Sequence, residues 1–593
     1  MAGGASSLDG KLLVVAIDFG TAYSGYAFSF RNDYRLDPLK IEINHWTGEG
    51  AQTMSSKAPS SVLLNPDKTF HSFGYQAEEE YASLVENGKY QDWFFFTKIK
   101  MRLLYKEKIS RTDTIEDECG KTMPGLTILS FIIGHLKADL YKKLSLRGLL
   151  VRDEDIIWVL TVPAIWSDAA KQLTREATEQ AGIKSGDMTF VYEPEAAALY
   201  CRLQKLHAIN DATSKSDGKG DTALERGRKV LVFDMGGGTT DISVIDIKSE
   251  KEIHIVERAS GGPFGGTHIN EKFCQWLDEV FGAENMNKFK TEHRADYMQF
   301  IRDFEQKKRP IDPKEDKSLF LQIPTALKQL AENTWKCKLE DHFSKPESQY
   351  PCVQVKKRGK LFFPSSFLVE HFILPISKIV LEDMERILKK HGDISSVLAV
   401  GGLAQSAAMT TEIRKYAKDI PVFVPFDSSV AVLNGAVLYG HDNNVIKARV
   451  CKHSYGIQTM RPFEKGDDEK KKVKQEGKVW CKHCFRALYH AGDMIKLGDV
   501  NSYELEEYFN EEGRKNKQFQ PIRCILFRSE SENPRYVTDK GCEEGGIIEI
   551  EVPENGFPVH YECTVELEFA GTEIIARLKD DQGIKTIRVN FLN

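Results

Sequence analysis

Two aspartates in this sequence each end an apolar run and open onto a turn of glycine and threonine. The first run is Leu12 to Ile17, followed by Asp18, Gly20, Thr21 and Ser24. The second is Val230 to Phe233, followed by Asp234, Gly236, Gly237, Gly238, Thr239 and Asp241. Alternation resumes after both turns, through Tyr26, Phe28 and Phe30 and through Ile242, Val244 and Ile245. Each unit reads as strand, acid, tight turn, strand. Glycine has no Cβ and tolerates positive φ, so such a turn brings bare backbone N–H groups against an anion. The acid cannot hold a phosphate, but it can hold a hydrated Mg²⁺ that does. One copy alone would read equally well as a glycine hairpin with a capping aspartate. Two copies suggest related halves that grip one polyphosphate from two sides.

The segments between and after these turns must position them. Trp93 and Phe94 to Phe96 lead into a lysine-bearing stretch with Lys98 and Lys100, whose plain reading is a solvated helix face. Residues 127–148 have helical periodicity. Ile156 to Val162 is a buried strand closed by Pro163, after which Ser167 caps a helix running to Ala181 with Gly182 as its stop. Glu193 and Glu195 fall in the first turn of the next helix, where the dipole favours acids. Residues 205–228 read as an exposed loop. Two glycine pairs, 261–262 and 265–266, precede a helical region from Glu271. Glu305, Lys308 and Arg309 share a helical face by spacing, as a surface salt-bridge stripe also would. Residues 396–402, SVLAVGG, echo WVLTVPA at 158–164, a second repeat in support of a duplicated α/β unit. Gly435 and Gly440 are read as flanking the last helix of this region.

At 593 residues the chain is too long for one core, and two to four domains are expected. A net charge of −6 gives no reason to expect nucleic acid or a membrane surface as partner. No apolar run approaches the roughly 18 residues that span a bilayer. Residues 1–10 lack the basic and apolar regions of a signal peptide. Eleven scattered cysteines suit a reducing compartment, and the expectation is a cytoplasmic protein, with the nucleus as a second location. After Tyr439 the composition shifts. Residues 441–452 read as a polar connection and 464–478 as a solvated loop. Strand-like alternation at 547–551, 563–569, 573–578 and 585–591 describes an all-β module. The CKHC of 481–484, with Cys451 and His453 upstream, could supply four zinc ligands, but no second CxxC follows and free thiols are the preferred reading.

Together these motifs resemble the seventy-kilodalton heat-shock chaperones, with the nearest likeness in the divergent branch called heat shock 70 kDa protein 12. DFGTAYSG resembles the family's first phosphate loop and FDMGGGTTD its second. VLTVPAIWSDAAKQ and YEPEAAALY resemble its first connecting element, FGG at 264–266 and FEQKKR its nucleotide-enclosing parts, and VGG at 400–402 its adenosine motif. The resemblance implies an α/β fold: a duplicated actin-like, ribonuclease H-like ATPase domain of two lobes at 11–440. A linker at 441–452 and a smaller β-sandwich domain at 453–593, without a helical lid, would follow. It implies ATP or ADP and Mg²⁺ as cofactors and a weak Mg-dependent ATPase. Asp18 and Asp234 would hold the metal. Gly20, Thr21, Ala22, Tyr23, Gly236, Gly237, Gly238 and Thr239 would cradle phosphates. Lys100, with Lys98 as second choice, would meet the γ-phosphate. Glu193, Asp241 and Thr239 would orient water. Gly265, Gly266, Glu305, Lys308, Arg309, Gly401 and Gly402 would enclose the nucleoside. The β-domain would bind extended apolar segments of client or signalling proteins. Departures are Ala22 for a second threonine, Glu195 for threonine, Leu403 and Gln405 for serine and arginine beside the base, and a linker without its leucine run. A nucleotide-binding adaptor with little hydrolysis and a small-molecule kinase of the same superfamily are the alternatives.

Overall fold

The computed structural model describes residues 10–47, 54–106, 108–204, 224–309, 311, 318–344, 350–356, 358–475, 477–509, 515–581 and 583–592. Part of the loop read at 205–228 lies outside them. Each aspartate turn joins the two strands of a hairpin. Leu13–Phe19 pairs antiparallel with Tyr23–Phe30 and parallel with Ile156–Val162, which in turn pairs parallel with Met188–Tyr192. The second set repeats this order. Lys229–Met235 pairs antiparallel with Thr240–Ser249 and parallel with Ile394–Val400, which pairs parallel with Val422–Phe423. The echo between residues 158–164 and 396–402 therefore marks equivalent strands of two sheets with one topology.

The apolar runs lack period-two alternation because both sheets are covered on both faces. Leu13, Val15 and Ile17 face a core with helices Gly125–Leu146 and Asp168–Gln180, while Val14 and Ala16 face a second core. Leu231 and Phe233 likewise face outward to helices Gly266–Phe281 and Leu374–Lys390, while Val230 and Val232 face the shared middle layer. That layer is built from two crossing helices, Glu193–Leu203 and Ala431–His441. Gly435 sits where the backbones cross, and a Cβ there would overlap the carbonyl of Ala196. Gly435 and Gly440 thus lie inside the last helix rather than flanking it: close packing, not chain termination, explains both. The helix expected from Glu271 begins five residues earlier, at Gly266. Among the described residues no helix is long and apolar enough to cross a membrane.

The C-terminal part forms a six-stranded and a four-stranded antiparallel sheet over one core, with Leu526, Ile548, Val565 and Leu567 fully buried. The stretch expected as a polar connection is not one. Ile446–Val450 pairs parallel with Glu252–Ile255 of the second large sheet, and Met494–Lys496 then adds to its other edge. Ala448 and Ile446 are buried in this pairing, and the alternating apolar residues of IKARV are what make it a strand. The C-terminal strands also touch the first half of the chain. Arg175 pairs with Glu573, Tyr455 donates to Asp168 at 2.9 Å, and Leu592 is buried in the first outer core. Cys481 and Cys484 pack with Tyr536 while Cys451 belongs to a different core, so the four imagined zinc ligands are not brought together.

Two histidines make this arrangement sensitive to mild acid. His441 ends the middle-layer helix and stacks on Tyr34 at 4.1 Å, and His453 lies between the large sheet and the C-terminal strands. Burial pushes both down to about 4, with Arg31 beside His441 and Lys452 beside His453 acting in the same direction. The unfolded chain protonates near 6.5, so between pH 6.5 and 4 it takes up protons that the folded chain refuses. Stability therefore falls as pH drops through this window, by about 1 to 2 kcal/mol per histidine at pH 5. Melting curves from pH 7 to 5 should show this, and His441→Gln should flatten the dependence. An unaltered slope would mean that His441 is not the group responsible.

Candidate functional site

The two aspartate turns face each other. A Cβ on Gly237 would lie 2.7 Å from the Cβ of Ala22, and one on Gly238 would overlap Thr21. Only bare backbone fits there. A third turn closes over the triple glycine: Gly265 N–H donates to Gly238 O at 3.1 Å, Gly266 to Gly236 at 3.2 Å and Thr267 to Gly237 at 2.7 Å. These bonds use the loop's carbonyls. Gly236 N–H is spent on Thr239 O, but the N–H groups of Gly237, Gly238 and Thr239 donate to nothing among the described residues. That leaves donors available for an anion.

Below the loops lie four buried carboxylates, Asp18, Glu193, Asp234 and Asp241, and two ammonium groups. Lys57 reaches Asp18 Oδ2 at 2.5 Å, and Thr161 donates to its Oδ1 at 2.7 Å. Lys100, 2% exposed, donates to Glu193 Oε1 at 2.9 Å and lies 4.9 Å from the Trp166 ring centre. Asp234 and Asp241 are cross-strand neighbours, and Asp241 Oδ1 accepts the N–H of Ile165. Gly401, at φ +90°, lets its backbone pass Asp234, where a Cβ would come within 2.6 Å of Oδ1. Burial would raise Asp18, but Lys57 and Lys100 hold it below its ordinary value. The other three are raised. Asp234 is pushed well up by burial and then by Glu193, Asp241 and Asp18, and Asp241 rises to about 7 through burial and Glu193. Glu193 is raised by burial against the pull of Lys100. Four carboxylates crowd two cations in a dry place, and three of them are pushed toward the protonated form for want of positive charge; such an oxygen donor set is one that a hard divalent cation such as Mg²⁺ would satisfy.

The proposed nucleoside residues form a second cluster. Glu305 accepts from Lys308 and Asn270 and from Arg309 at 3.2 Å. Lys308 Nζ also donates to Gly266 O at 2.6 Å, and the Arg309 guanidinium lies 5.4 Å from the Tyr23 ring centre. These contacts tie the cluster to the first aspartate turn and to the third turn that closes over the triple glycine. Beside it, Gly402, Leu403, Lys308 and Arg309 line a small gap with room for about one water. Gly20, Thr21, Gly236 and Thr239 sit in the turns where the sequence places them. Lys98 is half-buried and pairs with Glu271 at 2.8 Å rather than with the four buried carboxylates, though it lines a cleft with Thr21, Ala22, Tyr23 and Glu305.

Three neighbours escaped the sequence reading. Lys57 carried no motif. Thr161 was visible only as the one polar residue in IIWVLTV. Tyr105 stands beside Asp241 and Glu193, and burial holds its hydroxyl protonated. The Ile165 peptide links the site to the C-terminal part, since its N–H meets Asp241 and its carbonyl accepts from Lys452 at 3.1 Å. Glu195, two residues after Glu193, is held by Arg449 at 2.9 and 2.7 Å.

A family model described as Hsp70 protein matches residues 51–475. Heat shock 70 kDa protein 12A of Mus musculus is 28% identical over 639 aligned positions, covering 98% of this chain and 92% of that protein. Heat shock 70 kDa protein 12B of Homo sapiens is 27% identical, at 98% and 91% coverage. Chaperone protein dnaK of Cyanidium caldarium is 26% identical over 314 positions, 51% of this chain and 42% of that protein. With the family model spanning well over half of the sequence, and with duplicated sheets bearing paired aspartate turns, this chain belongs to the Hsp70 family.

Proposed function

We propose that the chain binds ATP or ADP with Mg²⁺ between its two duplicated sheets, hydrolyses ATP slowly, and uses its C-terminal β-module to hold extended segments of client or signalling proteins in the cytoplasm. The observation that carries this reading is the buried set Asp18, Glu193, Asp234 and Asp241 under two glycine turns, with Lys100 inside it. Asp18 and Asp234 would hold the metal through waters, and the metal when bound would neutralise phosphate charge. The N–H groups of Gly237, Gly238 and Thr239 would take phosphate oxygens. Lys100 would exchange part of its bond to Glu193 for the terminal phosphate. A carboxylate near 7 suits proton acceptance at neutral pH, so Asp241, fixed through Ile165 N–H, would receive the proton of the attacking water. Glu193 and Thr239 would orient that water. Positioning and charge neutralisation do most of the work in such a transfer.

The adaptor reading, with binding but little turnover, draws support from the docking of the C-terminal strands. Arg449 pins that part to the helix carrying Glu193, Glu573 pins it to Arg175 of helix Asp168–Gln180, and Lys452 pins it to the Ile165 peptide whose N–H holds Asp241, so nucleotide occupancy could be reported through it. Thermal melting separates binding from its absence. Mg·ATP at 100 times its Kd should add about 2.7 kcal/mol of stability, a rise of several degrees over Mg²⁺ alone. No shift at millimolar Mg·ATP would end both readings. A shift without phosphate release or ATP-dependent release of an apolar peptide would favour the adaptor.

A further inference from the structure

The position of Lys57 follows from strand register. Asp18 stands opposite Gly25 in the first hairpin, and Ala58–Pro59 pairs with the same strand on its other side, with Ser24 opposite Ala58. One step further along that register Lys57 falls opposite Gly25, so Asp18, Gly25 and Lys57 share one face. Gly25 has no side chain to stand between the other two. A Cβ there would lie 3.2 Å from Lys57 Cγ, and the lysine stem crosses over it to bond Asp18 Oδ2 at 2.5 Å. The segment that carries Lys57 also braces the first aspartate turn. Ser60 N–H donates to Ala22 O at 2.9 Å, and Ser60 Oγ donates to Gly20 O at 2.7 Å. The ammonium is thereby fixed beside that turn. It has three N–H donors, and Asp18 is its one hydrogen-bond partner among the described residues. The Lys57 side chain is 17% exposed, so a ligand can reach it.

The two aspartates of the paired turns are therefore not equivalent. Each oxygen of Asp18 already has a donor, Lys57 at Oδ2 and Thr161 at Oδ1. The Asp234 carboxyl accepts no hydrogen bond among the described residues. We propose that Lys57 is a phosphate-binding residue that supplies, from the chain itself, part of the positive charge a divalent ion would bring, so that a nucleoside diphosphate binds this protein without metal. The inference deepens the nucleotide-binding reading above and rests on it. The two uncommitted N–H groups of Lys57 take oxygens of the diphosphate at the first turn, while the bond to Asp18 keeps the ammonium in place. Asp234 is left as the chief holder of the metal when one is bound. A hydrogen bond from an ammonium to an anion contributes roughly ten- to a hundredfold in affinity, enough to keep the diphosphate bound when the metal is withdrawn.

The test is calorimetric titration of the full chain with ADP, once in excess Mg²⁺ and once in excess EDTA. The wild type should bind in EDTA within about tenfold of its affinity in Mg²⁺. Lys57→Met keeps the stem and removes the charge. It should weaken ADP by at least about thirtyfold in EDTA, and by no more than about threefold in Mg²⁺, where the freed Asp18 can serve the metal. A wild-type affinity that falls by more than about tenfold in EDTA would overturn the inference while leaving nucleotide binding intact. A variant whose loss in EDTA is no greater than its loss in Mg²⁺ would do the same, since Lys57 would then be only a structural partner of Asp18. Wild-type chain that binds ADP under neither condition would overturn the nucleotide reading and this one with it. If the variant does not fold, the ratio of the two wild-type affinities decides by the same tenfold limit, about 1.4 kcal/mol.

Discussion

A chain carrying Asp234→Asn is expected to keep its fold and lose Mg-dependent ATP turnover by roughly a hundredfold, about 3 kcal/mol in the barrier. The two halves of this expectation have one cause. Asp234 is 4% exposed, and its carboxyl is pushed up by burial and by Glu193, Asp241 and Asp18. Without a cation the folded chain gains nothing from this negative charge. An isosteric amide relieves repulsion among the carboxylates, so the variant should melt no lower than the wild type in the absence of Mg²⁺. With Mg·ATP the order reverses, because the amide cannot supply the charge that holds the metal's waters. Melting with and without Mg·ATP, beside single-turnover phosphate release, measures both. Undiminished hydrolysis would remove Asp234 from the metal site, and a large loss of stability in the metal-free variant would mean that the carboxylate has a structural partner.

How much of this was legible depends on how far each contact reaches along the chain. The aspartate turns were plain because their whole chemistry lies within some twenty residues: an apolar strand buried on both faces, an acid at its end, glycines where another backbone approaches. The duplication was plain for the same reason, since SVLAVGG and WVLTVPA are equivalent strands of two sheets. Lys57 was not legible, because a lysine before Ala58–Pro59 has no local reason to turn inward; its position follows from the pairing of that short strand with Tyr23 and Ser24. Gly435 was read as punctuation because sequence cannot tell a glycine that ends a helix from one that lets another helix approach.

The boundary at 441–452 was misread for a physical reason that leads to the second large effect. In IKARV the charged residues suggest solvent, but Arg449 serves a partner 254 positions away, holding the buried Glu195 with two charge-assisted bonds. Glu195 had looked like a dipole-favoured acid in a first helical turn. Breaking such a pair from one side leaves an uncompensated buried charge, which costs about 3–5 kcal/mol, far more than the pair contributes over an apolar replacement. Arg449→Ala is therefore expected to lower the melting temperature by roughly 10 °C. The double variant Glu195→Gln with Arg449→Met should recover most of that loss, since it removes both charges and keeps the volume. Glu195 lies two residues from Glu193, and the strand of Arg449 bridges the large sheet to Met494–Lys496. Loosening it should also lower ATP turnover in the single variant and restore it in the double. A loss under about 1 kcal/mol in Arg449→Ala would show the pair to be solvated, and the C-terminal strands would then be free of the nucleotide-binding sheets in solution.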